Sequence, residues 1–444
     1  MDKLNRIETN ISVDQVIGHV RTPLFRNAYA LIFSSAATSV LGIAYWALAA
    51  RYYPDEIVGL NSAAIAATLL LSSIAILYLD GAFIRFIPRA GRKTTRLIVY
   101  AYLIASTLSI LTSAAFLIGI KFWSPALSFL VATPWSMAWF ILATATGSIF
   151  LMQDGALTGL RQAVWVPVEN ATFALAKIGL LVVFARSFPD YGLFASWTIP
   201  AAVLILPVNW LIFKRLVSQH EQDTREIAAP VVPSQIAGYV GGNYIGSLFL
   251  LGYTKVLPLM VIQFAGSRAS AYFYLPWVLA TSLQLVSQNM SVSMVVESVI
   301  DEDQRSSLLR RALTSTLRLM VPVVLVLAAG APYALRIFGR EYAEEGGLLL
   351  QLLSLAIIPN VFFVLFIGIS RVQHRIGHIV VAQASVAILT LVLSYALLPR
   401  MGIAGVGLAW LLAQTLAAAI AYLAFLRPVL SRHRAARIRV MEEF

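Results

Sequence analysis

Twelve runs of about 20 mostly apolar residues follow one another along this chain, separated by short polar turns, and few folds can accommodate that pattern. In hydrocarbon each backbone N–H and C=O must be satisfied within its own segment, so such runs form helices. They cover roughly residues 27–49, 60–84, 97–120, 135–153, 164–185, 193–213, 236–262, 272–295, 317–335, 348–370, 379–398 and 405–426. Polar residues and prolines interrupt the seventh and eighth. Of the 444 residues 59% are hydrophobic and only 12% charged, against about 25% charged in ordinary soluble domains. The expectation is an all-α integral membrane protein with about 12 transmembrane helices.

Charge fixes the orientation. Arg85, Arg89, Arg92, Lys93 and Arg96 crowd the turn after the second run. Lys and Arg resist translocation, so such a cluster marks a cytoplasmic end. With the N-terminus inside, the cytoplasmic pieces hold 24 of the 33 Lys and Arg and the external turns hold 7, while Lys177 and Lys255 lie within spans. Both termini are therefore expected in the cytoplasm, in a cell (inner or plasma) membrane. The net charge of +12 is accounted for by these span ends, with no nucleic-acid-binding module beside them. Cysteine is absent, which excludes disulfides and thiolate chemistry. Residues 1–26 are polar and mixed in charge, so the first span, rather than a cleavable signal peptide, is the expected insertion signal.

The longest internal connection, Lys214 to Pro233, is about 20 residues and too short for a soluble catalytic domain. It reads as a cytoplasmic linker (214–233) between a six-helix lobe at 27–213 and another at 234–426, with tails at 1–26 and 427–444. An internal repeat supports the division. Pro189-Asp-Tyr-Gly192 precedes the sixth span and Pro399-Arg-Met-Gly402 the twelfth, 210 residues later, and Arg161 matches Arg371 at the same offset. Six spans per repeat preserve orientation, so the halves are parallel repeats, an arrangement that places a cavity between them.

The motifs that would carry catalysis or cofactors are missing. There is no Gly-rich phosphate loop, and no cofactor or metal is expected. His374 and His378 have the spacing of a metal pair but sit in a basic stretch without an acidic third ligand. Asn170-Ala-Thr and Asn289-Met-Ser match glycosylation sequons inside spans, where chance explains them, and Asp301 to Asp303 reads as a solvated turn.

Interior polar residues are more informative. Asn27, Ser34, Thr38 and Tyr45 form a stripe on span one, and Asn61, Thr68 and Ser72 one on span two. Tyr239, Asn243, Ser247 and Lys255 share an i+4 row in span seven, and span eight adds Gln284 and Gln288. Any single Ser or Thr is explained by helix packing; aligned stripes suggest a hydrated cavity. Lys177 and Lys255 are costly in mid-span unless they meet water or an anion. Lys177 could pair with Glu169 or Asp80, or belong to a cationic cavity extended by Arg51 and Arg268 at the external mouths. Arg85, Arg89, Arg92 and Lys93 would form a basic patch where anionic headgroups come in. Gly238, Gly242 and Gly246 make a small-residue row whose default reading is helix packing, and Pro258 is expected to kink that helix.

Arg26-Asn27, Leu41-Gly42, Ala50-Arg51-Tyr-Tyr-Pro54 and Val58-Gly59-Leu60, followed by Leu79-Asp80-Gly81-Ala82-Phe83-Ile84-Arg85-Phe86-Ile87-Pro88, resemble the start of polysaccharide-repeat-unit (O-antigen type) flippases. These belong to the multidrug/oligosaccharidyl-lipid/polysaccharide exporter superfamily. Gly155-Ala-Leu-Thr-Gly-Leu-Arg161 and Gly402-Ile-Ala-Gly-Val-Gly-Leu408 are similar to its later landmarks, so the likeness spans nearly the whole chain. The resemblance implies two six-helix lobes in a V around a central cavity, and transfer of a lipid-linked oligosaccharide between leaflets. Many relatives carry an acidic residue early in span seven where this chain reads Tyr253-Thr254-Lys255, which puts cation coupling through that position in doubt.

The reading that follows is a flippase for a polyprenyl-(pyro)phosphate-linked oligosaccharide, with membrane lipids and polysaccharide polymerase or glycosyltransferase machinery as partners. The alternative is a cation-coupled multidrug exporter of the same superfamily, which would need cavity carboxylates; Asp80 and Glu169 are the candidates. A membrane-embedded glycosyltransferase would need a large extramembrane loop, and none is present.

Overall fold

The computed structural model of the protein describes residues 23–224, 232–300, 305–373 and 375–427; within these, side chains are described from Thr38 onward except at 286, 289–300, 305–308 and 372. Most of both expected tails, positions 225–231 of the expected linker, Asp301 to Asp303 and His374 lie outside the described residues, as do the side chains of Asn27, Ser34 and Asn289.

The described residues are helical throughout, with no strand. The N-terminal half comprises α1 (Pro23–Tyr52), α2 (Asp55–Ala75), α3 (Leu79–Ala90), α4 (Thr94–Ile118), α5 (Pro134–Gly159), α6 (Trp165–Ser187) and α7 (Gly192–Leu211), the last continuing through a π turn into Val217–Asp223. The C-terminal half comprises α8 (Pro233–Ile300), α9 (Arg305–Arg336), α10 (Arg340–Leu355), α11 (Ile357–Val372), α12 (Ile376–Met401) and α13 (Ile403–Ala421). Ten stretches among the described residues are long and apolar enough to cross a membrane. One of them, Pro233–Leu285, has 53 residues. At 1.5 Å per residue it would reach roughly 80 Å, far beyond one bilayer, unless broken.

The breaks differ from the sequence expectation in two places. Span two does not run straight through 60–84: Leu77 and Tyr78 adopt left-handed φ of 54° and 65° and divide α2 from α3. Span ten divides at Ala356 into α10 and α11. The long α8 breaks at Gly266 (φ 86°), in the gap expected between spans seven and eight, and Pro258 lies inside its first part. Only Gly enters that region of backbone space without a Cβ penalty, which is why the turn falls there.

Two landmarks noted in the sequence prove to be one joint. A Cβ on Gly155 would sit 2.7 Å from the Asp80 carbonyl oxygen, and one on Gly159 2.6 Å from that of Phe83. The α3 and α5 backbones therefore touch, locking the segment after the Leu77–Tyr78 break against the end of α5.

The halves share a core at one end only. A continuous cluster including Tyr45, Trp46, Val58, Tyr274, Phe338 and Trp410 joins them around the end formed by the turns near Pro54, Gly266 and Gly339, here the far end. Toward the end that carries Arg85 to Arg96, the basic end, the core splits. One cluster (Phe83, Tyr102, Met152, Leu216) has all its buried members in the N-terminal half, with Val240 of α8 packed against it, and another (Leu313, Val324, Val361, Leu426) lies in the C-terminal half.

At the far end α2 crosses α8 so closely that a Cβ on Gly59 would lie 1.7 Å from the Ser267 carbonyl oxygen. Around this crossing the Tyr272 hydroxyl donates to Asp55 Oδ2 at 2.7 Å and also lies against Glu341. Arg268 bonds Glu341 at 3.0 Å and approaches Glu56 at 4.0 Å, and Arg51 donates to the Ile337 carbonyl at 3.3 Å. Arg268, Glu56 and Glu341 are more than half exposed, and exposed ion pairs contribute little. The crossing itself holds the end shut. Gly59→Val should therefore shift the protein toward a state open at the far end, by about tenfold or more in population, or ~1.4 kcal/mol. Spin-label distances across that end check this; an unchanged distribution in a folded Gly59→Val variant would refute it.

Candidate functional site

Splitting the core at the basic end leaves a cavity of about 810 Å³ between α3 of one half and α8, α11 and α12 of the other. The left-handed break at Leu77–Tyr78 turns α3 so that Tyr78, Arg85, Phe86 and Arg89 form one wall. The opposite wall carries Gln235, Tyr239, Asn243 and Ser247 of α8, Arg371 of α11 and Gln383 of α12. Among the described lining residues there are three arginines and no Asp or Glu. The Arg85 guanidinium stacks over the Tyr239 ring at 4.6 Å, linking the walls. The Tyr244 hydroxyl reaches the Ile74 carbonyl at 3.0 Å, a further link between the halves.

Gly238 and Gly242 have nothing within 4 Å of an added Cβ, and Gly246 meets only the ends of Gln383 and Val380. This corrects the packing expected for that row. The glycines face the cavity and hollow out its wall, which leaves room for a bulky polar occupant. Three members of the i+4 row, Tyr239, Asn243 and Ser247, line the cavity, while Lys255 lies further along α8, half-buried and outside it. Of the basic patch, Arg85 and Arg89 line it, and Arg92 and Lys93 sit exposed on the adjacent turn.

Other expected cavity residues have different surroundings. Tyr45 is fully buried, its hydroxyl bonding the Leu193 carbonyl at 3.1 Å and Ser196 at 2.9 Å. Asn61 donates to the Ile57 and Asp190 carbonyls, both at 2.9 Å, and accepts from the Phe194 N–H at 3.0 Å. Its amide is thus committed to fixing the start of α7 against α2. Ser72 donates to the Thr144 carbonyl at 2.8 Å, and Thr68 bonds within its own helix. The stripe on span two is helix packing. Gln284 is buried and Gln288 exposed, and neither lines this cavity. Arg51 and Arg268 act across the far end, and Arg268 faces carboxylates there. The Arg268 charge is offset locally and adds little to a field in the cavity.

Lys177 is 5% exposed and pairs with neither Glu169 nor Asp80. Its ammonium lies 3.8 Å from the Trp197 ring centre, 4.9 Å from Tyr45 and 5.0 Å from Phe173. Three π faces replace water around the charge. That cage ties α6 to α1 and α7, and Trp46 extends it to Tyr274 in the other half at 4.6 Å. Asp80 is partly buried at the start of α3, and Glu169 is buried on α6. Among the described residues no three His, Asp or Glu side chains are grouped to hold a metal; His378 packs on Phe425 instead.

Sequence reasoning treated Arg371 only as a repeat landmark and did not single out Tyr78, Gln235 or Gln383. Their signal was position beside short turns at the basic end, too weak without the α3 break.

No protein-family model matches the sequence, and no curated protein does. Solved structures are similar over nearly the whole chain. An inward-facing multidrug resistance MATE family transporter of the MOP superfamily is 14% identical, with a TM-score of 0.67 over 90% of this chain and 96% of the other. An outward-facing structure of that kind gives 13% identity and 0.64, covering 92% and 96%. A MOP superfamily transporter from Pyrococcus furiosus Vc1, described as having a binding pocket of reverse polarity that suggests a different function, gives 13% and 0.60, covering 92% and 95%. The fold of this protein is therefore that of the MATE-type transporters.

Trp197→Ala removes the ring nearest Lys177 and should destabilise the protein by ~2–4 kcal/mol. Adding Lys177→Met should recover about 1–2 kcal/mol, since the cation no longer needs its cage. Equilibrium unfolding of the four members of this double-mutant cycle in bicelles measures the coupling; additive effects would contradict the cage.

Proposed function

We propose that the protein is a flippase that moves a polyprenyl-phosphate- or pyrophosphate-linked oligosaccharide from the cytoplasmic to the outer leaflet, for cell-surface polysaccharide synthesis. The single observation that carries this reading is the cavity charge: Arg85, Arg89 and Arg371, with no carboxylate among the described lining residues. A sugar-phosphate headgroup is too polar to cross about 30 Å of hydrocarbon unaided. In this cavity arginine forks offset the phosphate charge, while Gln235, Asn243, Ser247 and Gln383 replace water around the sugars.

On this reading the basic end faces the cytoplasm, because most of the Lys and Arg lie there. The halves act as two six-helix lobes in a cell membrane with both termini inside, closed at the far end and open inward. Parting of the halves at the Gly59 crossing, with closure of the basic end, would expose the cavity to the other side. The lipid tail stays in the bilayer, and a glycosyltransferase or polymerase supplies and consumes the headgroup.

The fold also fits a multidrug exporter, since two of the similar structures are called multidrug resistance transporters. A cationic drug entering this cavity would meet three arginines, which argues against it. Reconstituted vesicles should translocate a lipid-linked oligosaccharide and not export organic cations. Arg85→Ala with Arg371→Ala should lower translocation at least ~100-fold, about 1.4 kcal/mol or more per arginine. Cation efflux without glycan transfer, or full activity in the double variant, would overturn the proposal.

A further inference from the structure

The helix α12 has two faces with opposite surroundings. Ile376, Ile379, Val380 and Gln383 line the arginine cavity. Gly377, His378, Val381, Ala382 and Ser385, about half a turn round the helix, line a second hollow. This groove holds about 310 Å³ and runs between α11, α12 and α13 of the C-terminal half. Phe363 and Phe366 form its wall on α11. Phe425, in the π turn after α13, packs on Phe366 with ring centres 4.7 Å apart. An added Cβ on Gly377 would meet nothing within 4 Å, so the groove stays open where α12 begins at the basic end.

Two polar side chains lie among the described lining residues. The Ser385 hydroxyl is spent on the Val381 carbonyl at 2.9 Å. The His378 ring packs on Phe425 at 5.3 Å, yet its buried Nδ1 has no hydrogen-bond partner among the described residues. Exposed arginines flank this end of the groove: Arg375 stands two residues before Gly377, and Arg427 two residues after Phe425. No Asp or Glu occurs between Glu345 and Glu442, so the three helices supply no countercharge.

Hydrocarbon gains little by leaving the bilayer for an apolar groove, so the polar end must select the occupant. An unpartnered nitrogen flanked by two cations calls for an anion, and the phenylalanine walls call for a chain attached to it. We propose that the groove binds an anionic membrane phospholipid. One acyl chain lies between α11 and α12, and His378, Arg375 and Arg427 hold the phosphate. Arginine forks match phosphate oxygens, and basic pockets between membrane helices take anionic headgroups. The tail of a lipid whose headgroup sits in the cavity would have to cross α12 to reach the groove, because the two hollows lie on its opposite faces. The phospholipid site is thus separate from the cavity and independent of what the cavity carries.

Full-length protein stripped of lipid in detergent is titrated with phosphatidylglycerol or with phosphatidylcholine of identical chains, and bound lipid is counted by native mass spectrometry. The wild type should hold one phosphatidylglycerol about tenfold or more tighter than phosphatidylcholine. Arg375→Ala with Arg427→Ala should weaken that binding about fivefold per arginine, and Ala417→Phe, which fills the groove, about tenfold. Both arginines are exposed, so their variant keeps the test open if Ala417→Phe does not assemble. Arg85→Ala with Arg371→Ala, in the cavity, should leave phosphatidylglycerol binding unchanged. Equal affinity for the two lipids would overturn the proposal, as would binding that survives loss of both arginines or filling of the groove. Loss of binding in the cavity variant would overturn it too. So would displacement of the phosphatidylglycerol by an equal amount of polyprenyl phosphate, which would assign the groove to the tail of a transported lipid.

Discussion

The closeness of α2 to α8 at Gly59 is the contact from which the rest of the arrangement follows. A carbonyl oxygen occupies the space that any other residue's Cβ would need. With that crossing made, the two halves bury a common apolar core at the far end, and their remaining surfaces diverge. Divergence produces the cavity, and the α3 break supplies it with Arg85 and Arg89. The surrounding ion pairs at the far end are exposed and screened, so they orient the contact rather than hold it. A closed end built on backbone proximity and weak charges is able to open, because separating it strands no buried charge.

Desolvation sorts the remaining charges. Arginines face a water-accessible cavity, where they keep their hydration and can exchange it for an anion. Lys177 is out of reach of that water and is held instead by aromatic faces. The two cases look alike in a linear sequence: a basic residue within or beside an apolar run. They differ in what stands one helix away. A caged cation contributes to assembly, whereas an open one is available to a ligand.

That difference marks the limit of what the sequence made legible. Apolar period and charge asymmetry carried the all-helical membrane fold and the positions of most turns, because hydrocarbon leaves the backbone no alternative. The Tyr239, Asn243 and Ser247 row could be read because three side chains on one helical face share one environment. Asn61 and Tyr45 misled for a physical reason: a polar residue on an apolar helix announces a need for hydrogen bonds, not their source. Their partners, Asp190, Phe194, Leu193 and Ser196, lie more than a hundred residues away. Arg371 and Gln383 enter the cavity through tertiary placement alone. The glycine row shows the converse, since small side chains suit a tight interface and an open wall equally, and only the neighbouring helix decides.

The short motifs that carried the family likeness are mostly joints. Leu79 to Phe83 and Gly155 to Arg161 meet each other across α3 and α5, and Gly405 packs against the Leu397 carbonyl oxygen in the α12–α13 hairpin. These contacts fix backbone against backbone and leave side-chain chemistry to positions around them. A fold can therefore keep its joints while the residues that line its cavity differ. That separation explains how this chain shares the fold of transporters at 13 to 14% identity while lining its cavity with arginines.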